Sequence, residues 1–414
     1  MSWKEIALGS AIHVKHGYAF KGEFFSSGGD YIVLTPGNFN EVGGFRIRAG
    51  KDHAYTGDIP EAFILDEGDL IVAMTEQGAG LLGSAALVPQ GNRYLHNQRL
   101  GLVDQVDSSV LDKRFLYLLF NTHSVRAQIN GSASGTKVRH TAPERIYRVR
   151  VRVPDVRTQA SIAATVLAYD DLIENNRRRM SLLEESARLL YREWFVRLRF
   201  PGYEHTRIID GVPEGWRSVA LGEMTSKIGS GFTPRGGESS YLAEGTPLIR
   251  SMNVYDDFFD DDGLAFLSEE QAATLAGVTV ESRDILLNIT GASVARCCMA
   301  PERYLPARVN QHVIIIRVDP DKADPFFVHK AINSDERKRQ LLSYAQKGST
   351  REALTKEGMA RFEVMLPPAA LMRRFGEIAA LSFRQREILA LQNQKLRAAR
   401  DLLLPRLMSG EIVV

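Results

Sequence analysis

The chain repeats itself once, at a spacing of 213 residues, and this duplication constrains the fold more tightly than any other feature. Trp3, Ala7, Leu8 and Gly9 return as Trp216, Ala220, Leu221 and Gly222. Asn97-Gln98 returns as Asn310-Gln311, Gly135-Thr136 as Gly348-Ser349, Pro154 as Pro367, and Leu183 and Leu190 as Leu396 and Leu403. The register slips to 212 between Phe20 and Phe232 and to 215 between Asp69 and Asp284, then recovers, as loop insertions in a duplicated module make it do. A period this long is a whole domain with its connector, not a solenoid unit. Two similar but diverged modules suggest a reader of two sites.

Each module reads as a strand-rich region followed by a long amphipathic helix. The boundaries fall at 1–154 for the first globular module, 155–200 for the central helix, 201–367 for the second module and 368–414 for the C-terminal helix. Tyr31 to Leu34 and Asp69 to Met74 are β-rich runs bounded by turn residues, as are Asp284 to Leu287 and Val313 to Ile316. Tyr147 to Val153 alternates strictly, which predicts a half-exposed strand with Arg148, Arg150 and Arg152 on a solvated face. Pro154 ends it, and Asp155 is placed to cap the helix that follows.

In the central helix Ile162, Val166, Tyr169, Ile173, Asn176, Met180, Leu183, Ala187, Leu190 and Trp194 keep an unbroken 4-3 spacing. This is a coiled-coil seam with a single polar position, Asn176, and it spans roughly 48 Å at 1.5 Å per residue. The C-terminal helix offers Phe375, Ile378, Ser382, Gln385, Leu389, Gln392, Leu396, Ala399 and Leu403, three of them polar. So polar a seam calls for a partner, and pairing of the two helices is favoured over each helix packing on its own domain. The fold class is α+β: two similar mixed α/β domains separated by two long helices that form a coiled coil.

Much chemistry is excluded. A chain of 414 residues, 44% hydrophobic and 25% charged, suits a soluble globular protein of two domains. No apolar run is long enough to span a bilayer, and Met-Ser-Trp-Lys-Glu-Ile lacks the pattern of a signal peptide, so a cytoplasmic location and no membrane partner are expected. The adjacent Cys297 and Cys298 make neither a disulfide framework nor a chelating pair. Gly131 to Lys137 has the wrong spacing for a phosphate loop, and Gly229 to Phe232 sits in no dinucleotide-binding unit. Asp324-Pro325-Phe326-Phe327 reads as a helix start, not a methyltransferase loop, because no cofactor-binding half accompanies it. The nine histidines show no metal-ligand spacing. No catalytic residue, metal or cofactor is therefore assigned to this chain.

Several loops instead carry residues suited to phosphates and base edges. In the first module these are Lys15, His16, Tyr18, Arg99, Thr136, Lys137, Arg139 and His140. In the second they are Ser230, Thr233, Arg235, Arg250, Ser251, Asn253, Lys347, Ser349, Thr350 and Arg351. Hydroxyls donate to phosphate, while Arg, Asn and Gln make bidentate contacts to guanine or adenine. The plainer reading of such loops is that they are turns. Asn97-Gln98 and Asn310-Gln311 suit a structural role, being identical in two diverged modules. The net charge of +2 argues neither way.

The duplication, the two helices and these loops together make the chain resemble the specificity subunit of type I restriction-modification systems. The resemblance extends over essentially the whole length. It is carried by Tyr191 to Val196 followed by Phe200-Pro201-Gly202, by Gly215 to Gly222, by Gly231-Phe232-Thr233-Pro234, by Val309 to His312, and by Leu403 to Ile412. It implies two target-recognition domains that each read half of a bipartite, asymmetric duplex DNA site, joined by an antiparallel helix pair. The helices would set the half-site spacing and dock two methyltransferase subunits, with restriction-translocase subunits outside. Ile173, Met180, Leu183, Leu190, Trp194, Leu389, Leu396 and Leu403 are the helix residues this assigns to assembly. S-adenosylmethionine, ATP and magnesium would be held by those partners. The Glu-Gln usual near the start of such helices is here Thr158-Gln159 and Met372-Arg373. The alternative is a non-catalytic two-module scaffold that binds protein or glycan.

Overall fold

The computed structural model describes residues 3–48, 50–76, 80–136, 138–234, 236–346 and 353–414. It divides into two units, Met1–Leu172 with Leu396–Val414, and Ile173–Lys395. The division falls inside both long helices, Val156–Tyr191 and Ala369–Ser409, so each unit holds a part of each.

In the first unit the strands Ile12–His16, Leu100–Val106, Leu70–Ala73 and Ala85–Leu87 lie side by side in that order, all antiparallel. A second sheet holds Tyr31–Val33 parallel to Tyr94–Leu95. Lys4–Ala7 pairs with Arg150–Val153, whose burial alternates as the two arginines and two valines require. The strand is shorter than the alternation predicts. Pro143–Tyr147 is a helix with proline in its first turn, and the Tyr147 hydroxyl accepts the Val14 N–H at 3.0 Å, which holds Tyr147 in the helix. The core joins Leu8, Val72, Phe115, Ile146, Val151, Ile162, Val166 and Leu407 in one cluster. Both long helices thus complete this core.

The second unit repeats the plan. Thr225–Ser230, Val313–Val318, Ile285–Asn288 and Cys297–Met299 form a four-stranded sheet in the corresponding order, and Thr246–Ile249 runs parallel to Ala307–Val309. The shared Leu-Gly dipeptides now have a reason. Leu8 N–H donates to Val149 at 2.9 Å and Leu221 N–H to Phe362 at 2.8 Å. A Cβ on Gly9 would stand 2.4 Å from the Tyr147 Cβ, and one on Gly222 3.1 Å from the Ala360 carbonyl oxygen. Asp324 caps the helix Pro325–Asn333, its carboxylate accepting the Phe327 N–H at 2.9 Å.

The first helix is capped by Asp155, which accepts the Thr158 N–H at 3.0 Å and its hydroxyl at 2.8 Å. None of its ten seam residues is exposed. In the second unit Asn176 Nδ2 donates to Asn393 Oδ1 at 3.0 Å, so the one polar position of this seam meets an asparagine of the other helix. The second helix corrects the expectation by one residue at three of the nine seam positions. Phe375, Ser382, Leu389, Leu396 and Leu403 do face inward, but Ile378, Gln385 and Gln392 are exposed. Their places are taken by Ala379, Arg386 and Asn393. Hydrophobicity ranks isoleucine above alanine and glutamine above arginine, yet Arg386 and Asn393 turn inward because each finds a polar partner there. In the first unit Arg400 likewise meets Asp170.

The partner of Arg386 is Glu184, within a buried network of the second unit. Lys330 contacts Glu184 and also Asp257 at 2.9 Å, and Asn333 Nδ2 donates to Asp257 at 2.8 Å. Burial pushes the Asp257 carboxyl up, but the Lys330 charge, the His329 ring and these hydrogen bonds outweigh it and leave it below the usual carboxylate range. His329, buried against the same cluster, is pulled down to about 3, chiefly by burial and next by Lys330.

Candidate nucleic-acid interface

In both units several of the loops singled out in the sequence converge, among the described residues, on one end of the four-stranded sheet. The first strand of the first unit finishes at His16, opposite Gly101 at the start of its neighbour, and Leu100 lies opposite Ala73 at the end of the next strand. Antiparallel pairing therefore brings the turn after His16, the Asn97-Gln98-Arg99 turn and the segment after Ala73 to the same edge. Thr75–Glu76 then pairs with Arg139–His140, adding the loop that holds Thr136. In the second unit Ser230 lies opposite Ile314 and Asn288 opposite Val313, which gathers Ser230 to Thr233, Asn310 to His312 and the turn at Thr290. Thr290 bridges to Ala353.

The two turns are built alike. Asn97 Oδ1 accepts the Arg99 N–H at 3.0 Å, and Asn310 Oδ1 accepts the His312 N–H at 3.0 Å. Each asparagine is buried, so its identity in both modules reflects this turn. Gly17 and Gly231 let the neighbouring loop pass close above it. A Cβ would stand 2.0 Å from the Asn97 carbonyl oxygen in one unit and 1.8 Å from that of Val309 in the other. His96, beside the first turn, is fully buried with Nε2 at 3.0 Å from the Leu100 carbonyl oxygen. Burial pulls its ring down to about 4 against that hydrogen bond, so it is a neutral structural residue.

The named candidates divide by what their side chains already hold. His16, Tyr18, Arg99, Thr136 and His140 are exposed, and Tyr18 packs its ring 5.3 Å from that of Phe63. Lys15 is half-buried, donating to the Ala62 carbonyl at 2.7 Å with its ammonium 4.7 Å from the Phe63 ring centre. In the second unit Thr233 is exposed, while Ser230 and Ser251 are half-buried.

Three candidates are corrected. Asn253 is fully buried, accepting the Arg250 N–H at 3.1 Å and donating to the carbonyls of Asp260 at 3.0 Å and Asp262 at 3.3 Å. It is a loop organiser with nothing left for a base. Asn38 does the same work in the first unit, accepting the Thr35 N–H at 2.9 Å, and this duplicated asparagine was the available sequence signal. Arg139 is committed to Glu76 at 3.2 Å and to the Asn130 side chain at 2.9 Å. Arg250 is committed to Glu238 at 2.9 Å and the Gly263 carbonyl at 2.6 Å. Lys137, Arg235, Lys347, Ser349, Thr350 and Arg351 lie outside the described residues.

The helix residues assigned to assembly also face inward. Ile173, Trp194 and Leu389 are buried, and Met180, Leu183, Leu190, Leu396 and Leu403 half-buried, so the seams, not the outer surface, use them. The outward helix faces show instead Leu172, Leu182, Leu381, Ile388 and Leu402. Among the described residues no group of three or more His, Cys, Asp or Glu is placed to hold a metal ion, and no helix is long and apolar enough to cross a membrane.

Comparisons with known proteins agree in kind. Residues 1–185 match the family described as the type I restriction modification DNA specificity domain. The chain is 23% identical over 315 residues to the type I restriction enzyme MjaIX specificity subunit of Methanocaldococcus jannaschii, covering 72% of this chain and 69% of that protein. It is 23% identical over 385 residues to the EcoBI specificity subunit of Escherichia coli, covering 88% of this chain and 76% of that one. The crystal structure of the S subunit of a type I system from M. genitalium superposes with a TM-score of 0.64 over 98% of this chain and 96% of that one, at 16% identity. That likeness extends to the fold as a whole.

Proposed function

Because the chain belongs to the specificity subunits of type I restriction-modification systems, we propose that the sheet end of each unit reads one half of a bipartite duplex site. The observation that carries this reading is the repeated sheet end, where a tight asparagine turn and a glycine crossing present exposed polar side chains in both units, joined in the first by the basic His16 and Arg99. The scaffolds match, glutamine included, while the residue that follows differs: Arg99 in one, His312 in the other. Two unlike half-sites, and hence an asymmetric target, follow from that difference.

The chain performs no chemistry in this reading. Methyl transfer, ATP hydrolysis and cleavage belong to two methyltransferase subunits and to restriction-translocase subunits, which hold S-adenosylmethionine, ATP and magnesium. The paired helices are the spacer between the two readers, and their outward leucines are the surface offered to those subunits. The comparisons lend no support to a protein- or glycan-binding scaffold. The test is duplex binding by the full chain at several salt concentrations. Binding that is sequence-dependent and weakens steeply with salt supports the proposal; binding indifferent to sequence overturns it. A rigorously pure preparation that methylates DNA by itself would overturn the division of labour.

A further inference from the structure

The repeated turn separates its two residues. Asn310 points inward, but Gln311 is exposed at the sheet end, and a chain of hydrogen bonds holds its amide in place. The Thr233 hydroxyl oxygen stands 2.6 Å from Gln311 Oε1. Gln311 Nε2 stands 3.1 Å from His312 Nε2, and His312 Nδ1 stands 2.6 Å from the Thr290 hydroxyl oxygen. These contacts admit two consistent sets of roles; in one, with the amide turned over, its N–H goes to the Thr233 oxygen, Oε1 accepts from His312 Nε2–H and Thr290 donates to Nδ1. In the other, Oε1 takes the threonine proton, the amide nitrogen donates to a bare His312 Nε2, and the ring proton is on Nδ1 and goes to Thr290. Either way, one lone pair of Oε1 and one N–H of Nε2 are left unused.

We propose that Gln311 is a base-reading residue of the second unit and that it selects adenine. Adenine shows an acceptor at N7 and a donor at N6 in the major groove, the complement of one free N–H and one free carbonyl lone pair. Guanine shows two acceptors at the same edge and would set its O6 against Oε1. An unrestrained glutamine amide has first to be ordered before it can read that edge. Here the contacts to Thr233 and His312 hold the amide in place, and in either orientation it keeps one free N–H and one free carbonyl lone pair, so the reading edge is formed before DNA arrives. Gln98, the counterpart in the first unit, has no side-chain hydrogen bond among the described residues, and Arg99 replaces the histidine beside it. Among the described residues the device belongs to the second unit alone.

The inference rests on the DNA-reading proposal, and the experiment separates the two. The complex purified from its source cells through a tag on the full chain is used to enrich bound duplexes from a randomised pool. Wild type, Q311A, Q311E and Q98A are compared. Enrichment of a two-part motif by wild type supports DNA reading. The inference expects Q311A to lose discrimination for A·T over G·C at one base pair of one half-site, by about 10- to 100-fold, with the other half-site unchanged. Q311E, which offers only acceptors, shifts that position towards cytosine, and Q98A leaves it untouched. An unchanged motif for Q311A overturns the inference while DNA reading stands. No motif from wild type overturns both.

Discussion

Asn176 and Asn393 hydrogen-bond to each other across two long helices, both side chains buried in seams that are otherwise mainly apolar. An isolated pair of this kind selects register more than it adds stability. N393L leaves Asn176 buried without its partner and is expected to lower stability by about 1–3 kcal/mol. The double variant N176L/N393L should recover most of that loss while tolerating shifted helix registers. Denaturant midpoints of both single variants and the double variant check this. Additive losses would show that the pair does not couple.

Glu184 ties down two cations at once. In E184A, Lys330 keeps Asp257 but Arg386 is left buried without a carboxylate, for an expected loss of about 3–5 kcal/mol. Exposed pairs on the same helix, such as Arg188 with Glu185, should be worth about 1 kcal/mol or less. Chemical denaturation of E184A beside E185A gives the comparison.

Two buried histidines make stability depend on pH. His96 and His329 have folded-state values near 4 and 3, below the ordinary 6.5. The unfolded chain thus takes up protons first as pH falls. Their contribution is fully present above pH 6.5 and is lost progressively as pH drops towards the folded values. At pH 5 the loss should be roughly 2 kcal/mol for each histidine. Denaturant midpoints at pH 7.5 and 5 measure it, and H96L should reduce the difference between them.

Two arginines of the first unit should behave oppositely. Arg99 is exposed with its guanidinium available, so R99A should weaken duplex binding, reduce the salt slope by about one and leave stability unchanged. Arg139 holds the buried Glu76, so R139A should destabilise the fold first. Salt-dependent binding and thermal unfolding of the two variants separate the roles.

The duplicated plan and both helices were legible in the sequence because each recurs: the 213-residue offset in paired residues, the seam in apolar spacing. What recurs only as polar residues was harder to read. A hydrophobic ranking passes over Arg386 and Asn393, since the partners that let them turn inward lie some 200 residues away, at Glu184 and Asn176. Asn253 and Arg139 have the chemistry of base and phosphate contacts, and only the folded loops show those groups already taken. Thr290, which anchors His312, carries no local signal at all; strand pairing brings it there.

The composition of the first unit bears on how the protein is made. It needs Leu396–Val414, whose Leu407 is buried in the same core cluster as Ile162 and Val166, whereas the second unit is the uninterrupted stretch Ile173–Lys395. On the ribosome, the unit whose synthesis starts first is therefore completed last. Until that segment emerges, the nascent first unit carries an open apolar face, and the second can close ahead of it.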